Sequence, residues 1–373
     1  MSNIPGKIKV LNFTLINDWG LSTETRSEVW PLIVGTSIYE GVFTPCMYGI
    51  AKVRDSYNLY STLPITKNTY VKITLQDPTT NKVISNIYKI YKVSNVEQET
   101  AKLQTYILHF TSIEMFNSMR VRINKHVTGN LPKAIKEIHQ TFSKRPIEVD
   151  DDAAKGELFL PMLTGYDSIK LLMESSKWRA SVPDYSYWET FSGFHCKSLS
   201  NCVLSSQVHD FSTNAVLSRD LYTDDFSYAD YIKIDDISVP QTFGALDSLY
   251  QGFDGSTIFS YDPLTGTSYF DALGDELLAR VYAFPDRSRD YSALSKRIQL
   301  LRQISNTYYI ISVPGLLGRS SGDMANVTIY NGNNMHEKDT TLSGKRLICG
   351  IVHIISNDEY QQNITLGDYY LGG

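Results

Sequence analysis

Three residues in the segment "FHCKSLSNC", His195, Cys196 and Cys202, are of the types that bind zinc or act as nucleophiles. A zinc site needs cysteine pairs two to four residues apart and a second pair elsewhere in the chain, and a cysteine nucleophile needs a base placed beside it. The spacing here meets neither requirement. We therefore predict that these thiols fill core space beside a hairpin and that no metal or cofactor is bound.

An acidic run, "VDDDAAKGE", offers a calcium ion the carboxylates of Asp150, Asp151, Asp152 and Glu157. Their spacing does not fit the calcium-loop template. A charge run ahead of a helix is typical of a solvated surface. The sequence therefore favours a surface segment over a calcium site.

Two pairs of adjacent carboxylates, Asp224 with Asp225 and Asp235 with Asp236, have the residue types of a glycosidic acid and base. Neighbours in a strand point to opposite faces of the sheet, so neither pair can act together if these segments are strands. The sequence contains no GxSxG, HExxH, P-loop or dinucleotide fingerprint. We predict no catalytic residue, although carboxylates distant in sequence can still meet.

His353 lies within an apolar strand, "LICGIVHII", near the end of the chain. A lone histidine in such a strand is most often a core residue hydrogen-bonded to backbone. We predict that role for His353 in preference to a catalytic or ligand-binding one.

Composition narrows the class of protein. The chain has 373 residues, 42% hydrophobic and 20% charged, which is typical of an ordered protein of two or three domains. Its 25 tyrosines suit half-buried strands and interfaces. A net charge of −5, without a basic run, argues against a sequence-specific nucleic-acid groove. The four scattered cysteines and the absence of a signal-like start indicate a protein made and kept in a cytoplasm with reduced thiols.

Alternating patterns predict a β-rich α+β fold of several domains. Residues 1–118 read as strands, including "KIKVLNF", "YVKITLQ" and a hairpin from "VISNIYKIYKVSNV" to "LQTYILHFTSIEMF". A similar pattern closes the chain: a long strand, an acidic turn and a returning strand. We therefore predict two related β domains, the first over residues 1–118 and the second, discontinuous, over residues 213–245 and 308–373.

Segments with apolar residues at helical spacing lie between these two β domains. The segments "LPKAIKEIHQTF" and "TGYDSIKLLMESSKWRA" predict amphipathic helices, with Leu131, Ile135, Ile138, Phe142, Ile169, Leu172, Met173 and Trp178 facing inward. A hairpin in "YSYWETFSGFHCKSL" is predicted to turn at Ser192 and Gly193. We assign residues 119–212 to a smaller α+β domain. We predict that residues 246–307 form an inserted domain of a β-hairpin and a third helix, "DYSALSKRIQLLRQI".

The last long strand has no polar face. Strict alternation places its apolar residues on two faces, one with Leu347, Cys349, Ile351, His353 and Ile355, the other with Ile348, Gly350, Val352 and Ile354. The run is about half the roughly 20 residues that a membrane-spanning helix needs, so we predict no membrane insertion. We expect its own chain or another subunit to cover both faces.

Two segments carry a resemblance to a known family. In "PGLLGRSSGDMANVTIYNG" and "LSGKRLICGIVHIISNDEYQQNITLG" the relevant residues are Gly315, Leu317, Gly322, Asp323, Gly344, Val352, His353, Tyr360 and Leu366. In "YWETFSGFHCKSL" they are Trp188, Glu189, Thr190, Gly193, Phe194, Ser198 and Leu199. With "VRDSYNLYSTLPITKNTYVKITL", these segments resemble the baseplate central hub proteins of contractile-tailed bacteriophages, across nearly the whole chain. Cys196 and Lys197 depart from the family pattern, where an aromatic residue and often an arginine are expected.

The resemblance implies a virion structural protein of the tail baseplate, assembled in the host cytoplasm. It implies a homotrimer whose two β domains per chain, tail-tube-like barrels or sandwiches, form a ring of six positions. Such a ring joins the sixfold tail tube to the threefold central spike and lets DNA pass. The implied partners are the tail tube protein, the central spike protein, and tape-measure or other baseplate proteins.

Three other classes of protein are compatible with the sequence. A tail-associated glycoside or peptidoglycan hydrolase would bring distant carboxylates or a metal cluster together in a cleft. A carbohydrate- or receptor-binding module would expose an aromatic groove. A spike-hub component of a tail-derived secretion machine commonly carries a fused needle domain, and no spike repeat follows "GDYYLGG" here.

Overall fold

The fold is taken from a computed structural model, which describes residues 6–62, 65–78, 81–100, 103–150, 155–177, 179, 183–213, 232–238, 256–262, 267–273, 280–283, 297, 301, 304, 309–331, 334–340, 342–357 and 359–368. Several predicted features lie outside these residues: Trp178, Asp151, Asp152, Asp224, Asp225 and all of the third helix except Arg297, Leu301 and Ile304.

The first part of the chain is almost entirely strand. Its elements are β1 (Lys9–Asn17), β2 (Thr25–Glu28), a 3-10 turn (Trp30–Leu32), β3 (Ile33–Gly41), β4 (Tyr48–Asp55), α1 (Leu59–Thr62), β5 (Thr69–Gln76), β6 (Val83–Thr100), β7 (Leu103–Ser112) and α2 (Ile113–Arg120). The predicted strands are present, except that the end of the second hairpin strand turns into α2. In β5 the alternation is as predicted, with Val71, Ile73 and Leu75 buried.

The middle of the chain mixes strands and helices. Its elements are β8 (Ile123–Asn130), α3 (Leu131–Phe142), β9 (Ile147–Val149), β10 (Lys155–Leu163), α4 (Gly165–Ser175), β11 (Tyr185–Thr190), β12 (Gly193–Ser198), α5 (Leu199–Ser205) and β13 (Val208–Ser212). Helix α3 spans the predicted segment, because its apolar residues repeat at helical spacing, Pro132 suits the first turn and the Asn130 side chain caps Lys133 N. Helix α4 buries Ile169 and Leu172. Helices α3 and α4 and strands β8–β12 enclose one core, and we call this part of the chain the middle domain.

The hairpin of β11 and β12 turns one residue earlier than predicted, at Phe191 and Ser192. Gly193 already belongs to β12 and pairs with Thr190. Its φ is +148°, and a Cβ there would lie 2.8 Å from the Pro146 carbonyl oxygen. Glycine is therefore needed where the hairpin packs against the chain entering β9, and not at the turn itself.

The remaining described elements are all strands: β14 (Ile232–Lys233), β15 (Asp236–Ser238), β16 (Ser256–Asp262), β17 (Thr267–Leu273), β18 (Arg280–Ala283), β19 (Tyr309–Pro314), β20 (Met324–Thr328), β21 (Tyr330–Asn331), β22 (Asn334–Lys338), β23 (Gly344–Ser356) and β24 (Glu359–Gly367). Strands β16 and β17 form the predicted antiparallel hairpin of the insert, and β18 joins it in parallel.

Strands from both ends of the chain form one 14-stranded sheet. We call β1–β7 the first β unit, and β13–β15, β19, β20, β23 and β24 the second β unit. Strand β13, which the predicted boundary at residue 212 gives to the middle domain, pairs with β20 of the second unit. The two units meet where β3 pairs antiparallel with β23.

The two units share a strand order. In the first unit, neighbouring strands are β3, β4, β7, β6, β5, β1 and β2; in the second they are β15, β19, β24, β23, β20, β13 and β14. Numbered by position along its own unit, each series reads 3, 4, 7, 6, 5, 1, 2. The directions differ in one region: β1 is antiparallel to β5, whereas β13 is parallel to β20. The internal similarity that the sequence hinted at is thus present in the topology.

Strict alternation along β23 was the wrong prediction. The pairing with β24 shifts between Ile348 and Gly350, so Cys349 is an extra residue, a β-bulge. Ile348 and Ile351 consequently share the core of the second unit, while Cys349 packs in a separate cluster with Val42. The chain itself therefore covers most of this strand, and Val352 on the opposite side stays half-exposed.

Candidate functional site: the junction of the two β units

Six of the residues singled out in the sequence converge at the junction between the β units and the hairpin of β11 and β12. They are Trp188, Gly315, Leu317, Gly322, His353 and Tyr360. Three others lie elsewhere: Gly344 begins β23, Val352 faces away from the junction, and Leu366 lies in the core of the second unit. The junction is thus a structural contact between parts of the fold, and most of these motif residues contribute to it.

A loop of residues 315–323 forms one wall of this junction. Gly315 N donates to the Tyr360 carbonyl oxygen at 2.8 Å, and a Cβ on Gly315 would overlap the Tyr360 ring. At the other end, Gly322 N donates to Ile348 O, while the Asp323 side chain accepts from Ser320 N at 3.0 Å and contacts His209 Nε2 at 3.1 Å. These contacts fix the loop against β23 and β24.

Trp188 connects the middle domain to this loop. Its indole Nε1 donates to the Ser321 carbonyl oxygen at 3.0 Å, and the ring is 2% exposed. Gly322 has a φ of +92°, and a Cβ there would lie 2.6 Å from Trp188 Cζ2. The tryptophan therefore fits only against a glycine, which explains the pairing of these two motif residues.

His353 is a buried core residue, as predicted, but its partners are side chains and not backbone. Its Nδ1 lies 2.7 Å from the Tyr360 hydroxyl and 3.3 Å from Gln362 Nε2. On the opposite side of the ring, Nε2 lies 3.6 Å from Glu40 Oε2. We call Glu40, Arg319, His353, Tyr360 and Gln362 the His353 cluster.

Two charged members of this cluster, Glu40 and Arg319, were not predicted from the sequence. Glu40 accepts from Ser321 N at 2.7 Å, and Arg319 Nη1 donates to Gln362 Oε1. The Arg319 guanidinium lies 4.9 Å from the centre of the Phe211 ring. Desolvation lowers the pKa of Arg319 to about 10, so it keeps its charge at neutral pH. The cluster joins side chains of both units, since Glu40 belongs to β3 and Gln362 to β24.

Glu189 is the centre of a second buried group, the Glu189 cluster, with Ser112, Glu114, Ser143 and Arg145. The Arg145 guanidinium forms an ion pair with Glu189, whose carboxylate also accepts from Met47 N at 2.9 Å and from Ser112 Oγ at 2.9 Å. Ser112 Oγ also lies 2.8 Å from Glu114 Oε2, so the two carboxyl groups share this hydroxyl. The cluster therefore ties β7, the residue before β4 and helix α2 to the β11–β12 hairpin.

Burial and the nearby Glu114 raise the pKa of Glu189 to about 7, although Arg145 opposes this rise. A carboxyl group with such a pKa is suited to general acid chemistry. Its side chain is fully buried, however, so a glycan substrate could not reach it. The arrangement supports structure and gives no evidence for a hydrolase.

The motif residues Gly193 and Phe194 belong to the same region. Phe194 is buried in the core of the middle domain and lies 5.4 Å from the Arg145 guanidinium. Gly193 allows the approach of Pro146. Arg145 was missed as well, because nothing in its sequence context distinguishes it from a surface arginine.

The residues first considered for metal and nucleophile chemistry have ordinary partners. All four cysteines are buried and free, as predicted. His195 and Lys197 both contact Glu148, and Thr190 Oγ1 lies 3.0 Å from His195 Nε2. Asp150 accepts from Asn201, and Glu157 pairs with His126 at the surface. Asp235 and Asp236 follow each other at the start of β15.

Within the described ranges, no group of three or more His, Cys, Asp or Glu side chains is arranged to hold a metal ion. The described helices are also too short or too polar to cross a membrane.

Comparison with known proteins defines the fold. No protein-family model matches the sequence, and no curated protein matches it. The tail protein from Neisseria meningitidis MC58 is similar in structure, with a TM-score of 0.54 and 12% identity, covering 98% of this chain and 97% of that one. The 43 kDa tail protein of prophage MuSo2 from Shewanella oneidensis has a TM-score of 0.54 and 11% identity, covering 95% and 97%.

At such identities the similarity concerns the fold. The chain has the β-rich fold of these tail proteins over nearly its whole length, and the predicted resemblance to phage tail proteins is confirmed at that level.

Proposed function

We propose that this chain is a structural subunit of a phage tail baseplate hub and that three copies form a pseudo-hexameric ring. The ring would join the sixfold tail tube to the threefold central spike. The observation that carries the proposal is the strand order shared by the two β units. Three copies, each with two such units, offer six similar positions around one axis, so threefold and sixfold partners can both bind.

Two further observations support this role. The side chains of the His353 and Glu189 clusters connect the two units and the middle domain. Such rigid connections suit a subunit that transmits force between the tail tube and the spike. The net charge of −5 does not favour retention of DNA, which would pass through the ring. The proposal assigns no catalytic residue and no cofactor to the chain.

The mass of the purified protein in solution tests the proposal. Light scattering on a size-exclusion column, with and without the candidate spike protein, is expected to give three times the 42.2 kDa of one chain in at least one condition. A monomer in both conditions at high concentration would contradict the ring. Turnover of cell-wall glycan by the pure protein would contradict a purely structural role.

A further inference from the structure

In the contact between the two β units, β3 pairs with one edge of β23. Residues 350–355 of β23 pair with β24 on one side and with residues 36–41 of β3 on the other. Just beyond this pairing, Val42 N donates to the Cys349 carbonyl oxygen at 2.9 Å. Both edges of this part of β23 are therefore satisfied within the chain.

Strand β6 holds the corresponding position in the first unit. The bulge at Cys349 between Ile348 and Gly350 has its counterpart at Tyr91, between Ile90 and Lys92. Strand β5 pairs with β6 only as far as Lys89. From Tyr91 onward, the described part of the chain provides β6 with one partner, β7, and its other edge is open.

The exposed fractions of the equivalent side chains in β23 and β6 also differ. Cys349 is 7% exposed, whereas its counterpart Tyr91 is 52% exposed. Next to Tyr91 lies an apolar cleft of about 410 Å³ lined by residues that include Tyr48, Met115, Phe116 and Met119. In the second unit, the place beside Cys349 is filled by Val42, which is fully buried. The first unit thus has an open cleft beside Tyr91, whereas in the second unit β3 and Val42 fill the equivalent position beside Cys349.

The second unit has an open strand edge of its own. Strand β15 is the counterpart of β3, since Ile237 pairs with Ile311 of β19 as Thr36 pairs with Ala51 of β4. Strand β3 uses its other edge to bind β23, whereas the other edge of β15 has no strand partner among the described residues. One chain therefore presents two open edges at equivalent positions of its two units.

We propose that β15 of one copy pairs antiparallel with the open edge of β6 in a neighbouring copy, with Ser238 opposite Glu97. The contact reproduces between chains the β3–β23 pairing within the chain. Strand addition to an open edge supplies main-chain hydrogen bonds and removes an aggregation-prone edge. Because different surfaces meet, the contact is head-to-tail, and it closes into a ring when three copies complete the rotation.

This inference rests on the proposed ring and names the surfaces that close it. The register of the β3–β23 contact identifies a residue pair for testing. Ser37 lies opposite Ile354. Strand β6 has a second irregularity between Ser94 and Glu97, so equivalent residues are found by counting along the partner strands: Ile354 pairs with Gln361 of β24 as Glu97 pairs with Thr105 of β7. The counterparts of Ser37 and Ile354 are therefore Ser238 and Glu97. Both counterparts are exposed in the single chain, so their replacement is not expected to disturb folding. The four native cysteines are buried and do not compete as thiols.

The test is oxidative cross-linking of the full-length variant Glu97→Cys/Ser238→Cys, followed by denaturing gel electrophoresis without reductant. We expect covalent dimers and trimers that disappear on reduction, whereas either single-cysteine variant gives at most a dimer at much lower yield. The matched control is Val83→Cys/Ser238→Cys, because Val83 is exposed on the same strand but in its β5-paired part. Ser37→Cys/Ile354→Cys is the intrachain positive control.

The outcomes separate this inference from the proposed function. A protein that is trimeric by mass but gives no more product from the 97/238 pair than from the 83/238 pair overturns the strand assignment and leaves the ring. A protein that is monomeric with and without the spike and yields no cross-linked product overturns both. Covalent trimers specific to the 97/238 pair support both.

Discussion

The indole of Trp188 lies directly against the Cα of Gly322 while its Nε1 donates to the Ser321 carbonyl oxygen at 3.0 Å. These residues are more than 130 positions apart in sequence, and they connect the middle domain to the loop that supports β23. The contact shows how the motif works: one residue supplies a large ring, and another supplies the space for it. A contact of this kind positions the parts of the chain relative to one another.

Replacement of Gly322 by alanine should therefore destabilise the protein. The new Cβ would lie 2.6 Å from the Trp188 ring at a φ of +92°, and we expect a loss of about 2–4 kcal/mol from strain and overpacking. Urea unfolding followed by tryptophan fluorescence measures this loss. Gly318→Ala in the same loop is the matched control, since nothing lies within 4 Å of its Cβ position. Equal stability of the two variants would contradict the argument.

Elements were predicted correctly from the sequence where their local residue pattern favours the same structure as their packing in the fold. Helix α3 has its predicted bounds because periodicity, a proline at the first turn and an asparagine cap all favour the same segment. The motif residues Gly315, Gly322 and Tyr360 were found through resemblance to a family, and the structure brings them together. The sequence did not show that the glycines leave room for aromatic rings or which residues they contact.

Other features left no signal in the sequence. Glu40 and Arg319 are charged residues of kinds that are almost always exposed, and they are buried here because they meet partners distant in the chain. The bulge at Cys349 is equally silent, since an apolar run looks the same with or without one extra residue. Long-range pairing determines both features, and local periodicity does not encode it.

The Glu189 carboxyl group should make stability depend on pH. Its pKa is raised to about 7 in the folded chain, against 4.5 for an ordinary glutamate. Between these values the folded chain holds a proton that the unfolded chain has released, so the contribution is fully present below pH 4.5 and is lost as pH rises to 7. Relative to Glu189→Gln, the wild-type protein should lose on the order of 3 kcal/mol over this window.

Thermal unfolding at several pH values across the window measures that difference. Glu137→Gln is the matched control, because Glu137 pairs with Lys125 at the surface with 64% of its side chain exposed. Its pH profile should follow the wild type. Parallel profiles for the wild type and Glu189→Gln would show that Glu189 titrates normally.

Loss of the Arg145 guanidinium should be costly because it leaves the Glu189 carboxyl buried without its cation. We expect Arg145→Met to lower the free energy of unfolding by about 3–5 kcal/mol at pH 7.5. Arg54→Met, at an exposed ion pair with Glu99, should change stability far less, because solvent screens that pair. The double variant Arg145→Met/Glu189→Gln should be more stable than Arg145→Met alone, since no unpaired charge remains. A less stable double variant would contradict this account.

The Tyr360 hydroxyl holds the His353 cluster together, and its removal tests whether the buried polar contacts matter. The oxygen lies 2.7 Å from His353 Nδ1 and 2.9 Å from Gln362 Nε2, and the ring is 3% exposed. Tyr360→Phe keeps the ring packed against Gly315 but takes away a partner of both polar groups, at a cost of about 1–3 kcal/mol in urea unfolding. Tyr57→Phe, at a side chain 74% exposed, should change stability by less than about 0.5 kcal/mol. If both variants behave alike, the packing of the rings at this joint, and not its hydrogen bonds, connects the two β units.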